Sequence, residues 1–169
     1  MTHLNQLEIF EVTDSVTRPS DTTTYGAGEV FADDASAATT AGRFDFVVAS
    51  PGKSFTIWDA QLIHSASETL KLSSELWLFD TAIVQDNDNA AFTPTDAEML
   101  TLVGVIPFSI PFVGTAGGNC TFDADMSRPI RRRVTAAETK IYGYLVVRNA
   151  YAPIASETVK IRLWITRNT

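Results

Sequence analysis

The chain is short of the features that hold many small proteins together or anchor them to membranes. It has a single cysteine, Cys120, so it cannot form an intramolecular disulfide, and its fold does not depend on an oxidising compartment. No stretch approaches the roughly 18 apolar residues that a membrane-spanning helix needs. The most apolar run, 102–113, is interrupted by Pro107 and Pro111. These absences predict a core held by packing alone and no membrane partner.

Positive charge is also scarce. Thirteen Lys and Arg residues stand against twenty Asp and Glu residues, which gives a formal net charge of −7. Nucleic acid needs a basic face, so this balance argues against it as the main partner. The exception is a run in which Arg131, Arg132 and Arg133 follow Arg128. These arginines either bind an acidic protein surface or form a solvated strand edge whose charges prevent edge-to-edge pairing.

Residues that commonly carry catalysis are few. The histidines are His3 and His64, and no serine lies in a Gly-x-Ser-x-Gly motif. His64 is interpreted as an ordinary strand-end or surface residue, and Cys120 as a small buried hydrophobe. The motif Asp86-x-Asp88 begins like a calcium loop, but the glycine and glutamate expected at the sixth and twelfth positions are missing. The sequence therefore predicts no enzyme activity, no metal site and no cofactor.

Alternation of apolar and polar residues is the main structural signal, and it predicts an all-β fold. The turn signals divide the chain into about eight to ten strands, of which 140–149 and 158–167 are the clearest. A chain of 169 residues fits a single domain over 1–169. The strand pattern favours an antiparallel β-sandwich that is jelly-roll-like.

One short helix is predicted near 94–101. Thr93 is the candidate N-cap, because its hydroxyl can accept from the free amides of the first turn and Pro94 suits the first helical position. Asp96 lies three residues after Thr93, which is the spacing of a capping-box partner. Gly104 is expected to follow the end of this helix.

The last two strands indicate which face of the sandwich is the core. In the last strand, four aliphatic residues at alternate positions point to one side: Val159, Ile161, Leu163 and Ile165. Trp164 points to the other side, and in the preceding strand Tyr142 and Tyr144 also point away from the core. If these strands are neighbours, the three aromatic residues form an exposed patch of the kind that marks a contact surface. The alternative is that segment 14–42 of the same chain covers this face.

Segment 14–42 is rich in Thr, Ser, Ala, Gly and Asp, and it is predicted to be a long polar crossing or an arm that reaches a neighbouring molecule. Within it, 18–30 has a Pro-led turn, a polar crossing and a glycine-flanked return into a strand. Arg18 and Tyr25 are candidate contact residues. If the segment is an arm, deleting the chain through Val30 leaves a foldable domain that no longer binds its partner.

Four stretches of the sequence resemble a known group of proteins. Residues 18–30 fit the pattern Arg-Pro-x-Asp-Thr-Thr-x-Tyr-x-x-Gly-Asp/Glu-Val. Three further stretches follow in the same order: Asp88-Asn89-Ala90-Ala91-Phe92-Thr93, Ile141-Tyr142-Gly143-Tyr144-Leu145-Val146 and Ala150-Tyr151-Ala152-Pro153. In these stretches the chain resembles structural proteins of tailed bacteriophages, and among them the head decoration (cement) proteins.

The resemblance implies a function in assembly. It implies a β-sandwich virion protein that is made in the host cytoplasm, lies on the capsid surface and stabilises the head by bridging capsomers of the major capsid protein. It also implies a homo-oligomer, with a trimer as the first expectation. The alternative is a tail-associated receptor- or carbohydrate-binding module, because β-sandwiches often present aromatic side chains to sugars. The candidate contact residues are Arg18, Tyr25, Arg128, Arg131, Arg132, Arg133, Tyr142, Tyr144 and Trp164.

Overall fold

The computed structural model contains two antiparallel β-sheets packed face to face. It describes residues 8–33, 42–65, 72–84, 87–109, 111–113, 120–133 and 139–168. Within these residues the elements are, in chain order, β1 (Ile9–Thr17), β2 (Val30–Phe31), β3 (Arg43–Val47), β4 (Ser54–His64), β5 (Ser74–Phe79), α1 (Asp96–Met99), β6 (Leu102–Phe108), β7 (Pro111–Val113), β8 (Cys120–Asp123), β9 (Ile130–Arg133), β10 (Lys140–Val147) and β11 (Thr158–Asn168). The predicted antiparallel β-sandwich with one short helix is confirmed.

The order of the strands is that of a jelly roll. One sheet has the order β1–β11–β4–β8, with β7 beyond β8, and the other has the order β3–β10–β5–β6. The short strands β2 and β9 extend these sheets, since β2 shares one edge of β10 with β3 and β9 shares one edge of β4 with β8. Chain neighbours such as β3 and β4 therefore lie in different sheets, as they do in jelly rolls.

The core lies between the sheets and is built from alternate residues of the long strands. The aliphatic face predicted for the last strand is fully buried, with 0% exposure for each member: Val159, Ile161, Leu163 and Ile165. β10 faces them from the other sheet with Ile141, Leu145 and Val147. Gly143 lies in the same row, and a Cβ there would come within 2.9 Å of Leu76 Cδ1. Side chains of the neighbouring strands β5 and β3 therefore fill the space over Gly143, and the predicted core side of both strands is confirmed.

Strand β4 changes its buried face halfway along. Strict alternation would keep either its odd-numbered or its even-numbered residues in the core, but the buried set contains both: Phe55, Ile57, Ala60, Leu62 and His64. The change occurs at Trp58, because Ile57 and Asp59 pair with consecutive residues of β11 and Trp58 has no partner there. This β-bulge turns the indole of Trp58 outward, where it is 40% exposed.

Helix α1 begins two residues later than predicted. Its N-cap is Thr95, whose hydroxyl accepts from the Glu98 amide at 3.3 Å, while Glu98 Oε2 accepts from the Thr95 amide at 2.7 Å. The prediction of Thr93 as the cap, with Asp96 as its partner, is wrong. A capping box needs a side chain that reaches back to the amide of the cap residue, and glutamate is one methylene longer than aspartate.

Segment 14–42 begins as part of the sandwich. Its first four residues belong to β1, which pairs with β11 at nine positions from Ile9 to Thr17. Its later residues Val30 and Phe31 form β2 and are fully buried, whereas 34–41 lie outside the described residues. A deletion through Val30 would remove β1 and uncover the edge of β11, so the remainder is not expected to fold on its own.

Candidate functional site

Arg18, which immediately follows β1, is buried inside the protein and is only 2% exposed. Its Nε donates to the Tyr25 hydroxyl at 3.0 Å, and its Nη2 donates to the carboxylates of Asp21 at 2.9 Å and Asp88 at 3.1 Å. Its Nη1 donates to the carbonyl of Asp21 at 2.6 Å. The guanidinium is thus held by acceptors of its own chain. Arg18 was predicted to contact a partner, but its burial leaves it inside the fold.

Asp88 is the carboxylate that joins Arg18 to Tyr25. It accepts from the Tyr25 hydroxyl and, at 2.9 Å, from the backbone amide of Ala32. Burial raises the pKa of Asp88 above its ordinary value, although the hydrogen bonds from Tyr25 and Ala32 and the charge of Arg18 oppose the shift. Burial and the Asp88 carboxylate raise the pKa of Tyr25 as well, so its hydroxyl stays protonated and can donate. Asp88 therefore links the connection between β5 and β6 to the segment after β1.

A second group of buried polar side chains contains His64, Tyr151 and Glu157. The Tyr151 hydroxyl donates to Glu157 Oε2 at 2.6 Å and lies 3.0 Å from His64 Nε2, which is 3.2 Å from the same carboxylate oxygen. Burial acts to raise the pKa of Glu157, but the hydrogen bonds from His64 and Tyr151 outweigh it and hold this pKa below its ordinary value. His64 lies at the end of β4, as predicted, but its side chain is only 1% exposed and is not at the surface.

Tyr25 and Tyr151 join the two groups into one. Their rings stack with centroids 6.0 Å apart, and their backbones hydrogen-bond to each other in both directions. The name buried polar cluster is used below for the six side chains of Arg18, Tyr25, His64, Asp88, Tyr151 and Glu157. The cluster fixes the segment after β1 to the loop between β10 and β11. Because its members are withdrawn from solvent, it stabilises the fold and does not present a reactive group to a substrate.

The aromatic patch predicted from Tyr142, Tyr144 and Trp164 does not form. Tyr142 and Tyr144 belong to β10 and Trp164 belongs to β11, and these strands lie in different sheets. Tyr144 is fully buried, whereas Tyr142 and Trp164 are partly buried. The patch depended on the two strands being sheet neighbours, and in this jelly roll the last two strands lie in opposite sheets.

The outer face of β10 is covered by the connection between β5 and β6. Phe92 from this connection packs against Trp77 and Tyr144, with ring centroids 5.4 Å and 6.3 Å apart. The Tyr144 hydroxyl accepts from the amide of Ile83 at 3.0 Å, and burial raises the pKa of Tyr144 to about 12. The chain does cover its own aromatic face with this connection, whereas no described residue of segment 14–42 belongs to the hydrophobic cluster around Tyr144.

An exposed aromatic side chain on the outer face of the β1–β11–β4–β8 sheet is that of Trp58. Its Nε1 donates to Thr166 Oγ1 at 2.9 Å, which orients the indole. The outward residues of β9 lie on the same face, because Arg131 is paired with Thr56 in the register. Trp58 and these residues of β9 border a surface cavity of about 410 Å³, which is named the Trp58 groove. It is lined mainly by Ser54, Thr56, Trp58, Arg131, Arg133 and Thr166. The sequence did not predict this site, although the shift of the core positions from Phe55 and Ile57 to Ala60 and Leu62 is the mark that a bulge leaves in one strand.

The four clustered arginines differ in their surroundings. Arg132 pairs with Asp80 across 2.5 Å and so links the two sheets. Arg128, Arg131 and Arg133 are exposed. Within the described part of the chain, these three have no carboxylate within ion-pair distance. Arg132 is therefore used by the fold, while its three neighbours face solvent with uncompensated charge.

In the described ranges, no three His, Cys, Asp or Glu side chains are placed to hold a metal ion. The same ranges contain no helix with the length and apolar character needed to cross a membrane. Cys120, at the start of β8, is buried as predicted.

Comparisons with known proteins give low similarity throughout. No protein-family model matches the chain, and no curated protein matches its sequence. The fold was matched to solved structures of viral particles. A chain of the cyanophage Pam1 capsid asymmetric unit is 11% identical, with 98% of this chain and 89% of that chain covered and a TM-score of 0.40. A chain of the Kashmir bee virus virion is 9% identical, with 96% and 71% covered and a TM-score of 0.29, and one of nora virus is 12% identical, with 100% and 63% covered and a TM-score of 0.24. At these TM-scores, the likenesses carry no conclusion about function.

Proposed function

We propose that this chain is a structural protein of a bacteriophage virion, namely a decoration (cement) protein that binds the major capsid protein on the capsid surface and bridges capsomers. Two observations support this proposal: four stretches of the chain resemble tailed-phage structural proteins, and those stretches lie close together in the fold.

Three of the four stretches meet in the buried polar cluster. Residues 18–30, 88–93 and 150–153 are far apart in sequence, yet they supply four of its six members: Arg18, Tyr25, Asp88 and Tyr151. The fourth stretch, 141–146, lies in β10 and pairs with β2 at the end of the first stretch. If these short motifs matched by chance, their residues would not be expected to lie in contact with one another in the fold. The proposal rests on this contact between the stretches, because motifs whose residues contact one another are parts of one structural unit.

The physical character of the cluster suits an assembly protein. A protein that binds through many weak contacts loses affinity if its surface loops must be ordered on binding. The cluster fixes the loop before β11 and the segment after β1 in advance, without a disulfide. The jelly-roll fold occurs in capsid proteins and in lectins, so the fold alone does not choose between these functions.

Exposure narrows the set of residues proposed to contact the major capsid protein. Arg18, Tyr25 and Tyr144 are left out of the proposed contact because they are buried, and Arg132 is left out because it pairs with Asp80. The exposed arginines and the partly buried aromatic residues stay in it: Arg128, Arg131, Arg133, Tyr142 and Trp164. A homo-oligomer, with a trimer as the first expectation, belongs to the same proposal.

Reconstitution on particles tests this function. Heads of the encoding phage assembled without this protein, and isolated tails, are each mixed with the purified protein and sedimented. We expect saturable binding to heads, no binding to tails, and added density on the outer head surface by electron cryomicroscopy. Sedimentation with tails alone, or with neither preparation, contradicts the proposal.

The second candidate function is a tail-associated carbohydrate- or receptor-binding module. One observation favours it: the Trp58 indole is 40% exposed beside a groove, and aromatic faces bind sugars. A glycan array with the purified protein distinguishes the two functions. Binding to a host polysaccharide that is lost in Trp58→Ala supports this candidate and opposes capsid decoration.

A further inference from the structure

The Trp58 groove combines an apolar surface with uncompensated positive charge. Arg131 and Arg133 alternate along β9 and lie on the same outer face as Trp58. Arg133 Nε donates to the carbonyl of Gly52 at 3.0 Å, which holds its side chain at the groove. Neither arginine has a carboxylate partner among the described residues, in contrast to Arg132. This is an unusual concentration of positive charge on a chain whose net charge is −7.

A surface of the opposite character lies at helix α1. Leu100, which caps the end of the helix, is 84% exposed, and Val84 is 72% exposed. Val84 lies beside the helix, because its amide donates to Glu98 Oε1 at 2.8 Å. Asp96 and Glu98 supply negative charge in the first turn, and the last turn carries no basic residue. The name acidic tip is used for these four residues, which combine exposed aliphatic groups with carboxylates.

We propose that the acidic tip of one copy of this chain docks in the Trp58 groove of a second copy. The exposed aliphatic groups of Leu100 and Val84 would be removed from water against the Trp58 indole. The Asp96 carboxylate would face Arg131 and Arg133, which supplies the charge complementarity that steers and orients association. These two arginines then contact the second copy, and Arg128, Tyr142 and Trp164 are left for the capsid protein.

The two docking surfaces are different parts of the chain, so the contact is head-to-tail. An open assembly then keeps one free groove at one end and one free tip at the other until it closes. The contact is a property of the isolated protein and does not depend on binding to a capsid. Reconstitution on heads and self-association of the purified chain can therefore fail independently of each other.

Charge reversal tests the contact on the full chain. Sedimentation velocity and light scattering give the dissociation constant of self-association for the wild type, for Arg131→Glu and for Asp96→Arg. Each single variant should raise this constant about tenfold or more, because like charges then face each other. The double variant Arg131→Glu/Asp96→Arg should restore association, since the pair is again complementary. Circular dichroism and thermal melting verify that each variant is folded.

Lys160→Glu is the matched control. It makes the same charge change as Arg131→Glu on the outer face of the same sheet. Lys160 lies six residues along β11 from Thr166, which places it roughly 20 Å from the groove. It should associate like the wild type. A wild type that stays monomeric at about 1 mM, association unaffected by either single variant, or a double variant as weak as the singles each overturn the proposal. Loss of binding to single-stranded DNA or an acidic glycan in Arg131→Glu, with self-association unchanged, overturns it in favour of that ligand.

Discussion

Tyr25 and Tyr151 form a two-way link between distant parts of the chain. The amide of Tyr25 donates to the carbonyl of Tyr151 at 2.8 Å, the amide of Tyr151 donates back at 3.1 Å, and the rings stack. Each ring carries its hydroxyl to a different carboxylate, Asp88 for Tyr25 and Glu157 for Tyr151. The segment after β1 and the loop between β10 and β11 therefore stabilise each other. Removal of either hydroxyl should destabilise both of them.

Tyr25→Phe should lower the free energy of unfolding by about 1–3 kcal/mol. The variant keeps the stacked ring but removes the hydroxyl that binds Asp88 and Arg18, which leaves buried polar atoms without a partner. Urea denaturation at pH 7 measures the loss. Tyr142→Phe is the control, because the Tyr142 ring is partly exposed, and it should change stability by no more than about 0.5 kcal/mol. Equal losses in the two variants would show that the hydroxyl of Tyr25 has no special role.

Arg18→Met should cost about 3–5 kcal/mol, since it removes the cation and leaves the Asp88 carboxylate buried without its charge partner. Adding Asp88→Asn should recover part of this loss, because the asparagine side chain carries no charge and so needs no cation beside it. The same change at Arg148, whose partner Glu75 is partly exposed, should cost no more than about 1 kcal/mol. Denaturation of the wild type, Arg18→Met, Asp88→Asn and the double variant gives the coupling between Arg18 and Asp88 directly. Additive losses at these two positions would contradict the prediction.

Stability should depend on pH through Glu157. Its pKa is lower in the folded protein than in the unfolded chain, so the unfolded chain holds more protons in the range between the two values. The stabilisation is complete above the ordinary pKa of about 4.3 and is lost as pH falls through the folded-state pKa.

Denaturation midpoints between about pH 7 and pH 3 should thus fall more steeply for the wild type than for Glu157→Gln. Glu11→Gln on β1, whose carboxylate lies 3.7 Å from Arg162 at the surface, is the control and should follow the wild-type curve. The prediction fails if Glu157→Gln retains the wild-type slope.

Gly143→Ala should destabilise the protein by about 1–3 kcal/mol through overpacking. The new Cβ would lie 2.9 Å from Leu76 Cδ1 and 3.1 Å from Phe46 Cε2, closer than side chains tolerate. Leu76→Val shortens the nearer neighbour, so the double variant should lose less stability than the sum of the two single changes. A Gly143→Ala protein as stable as the wild type would mean that the side chains of Leu76 and Phe46 can move aside at no cost.

The sequence was sufficient where neighbours along one strand decide the outcome. The buried face of β11 followed from the alternation of Val159, Ile161 and Leu163 with charged residues, because a strand has a period of two. The sandwich class followed from the number of such strands. The helix was expected in the right place, but its cap was misplaced because Thr93 and Thr95 both precede an acidic residue by three positions.

The sequence was insufficient where burial depends on residues far away in the chain. Arg18 lies in a segment of polar residues that resembles a surface loop, and its partner Asp88 is 70 residues away. Tyr144 was expected either in an exposed patch or under segment 14–42, since nothing within β10 indicates that Phe92 covers it. His64 is buried because Tyr151 and Glu157 surround it. These contacts are properties of the topology, which no local pattern encodes.

The bulge at Trp58 separates the surface chemistry of β4 from its core. The residues before and after it point into the same core because the pairing with β11 skips Trp58, so that Ile57 and Asp59 oppose consecutive residues of β11. Replacement of Trp58 by another side chain alters only the surface. Removal of the position would keep the pairing of Ile57 and Asp59, so Ala60 and Leu62 would still point into the core. This site can therefore vary in chemistry, or be lost, without turning the core residues of β4 outward, and the partner that the surface recognises can vary with it.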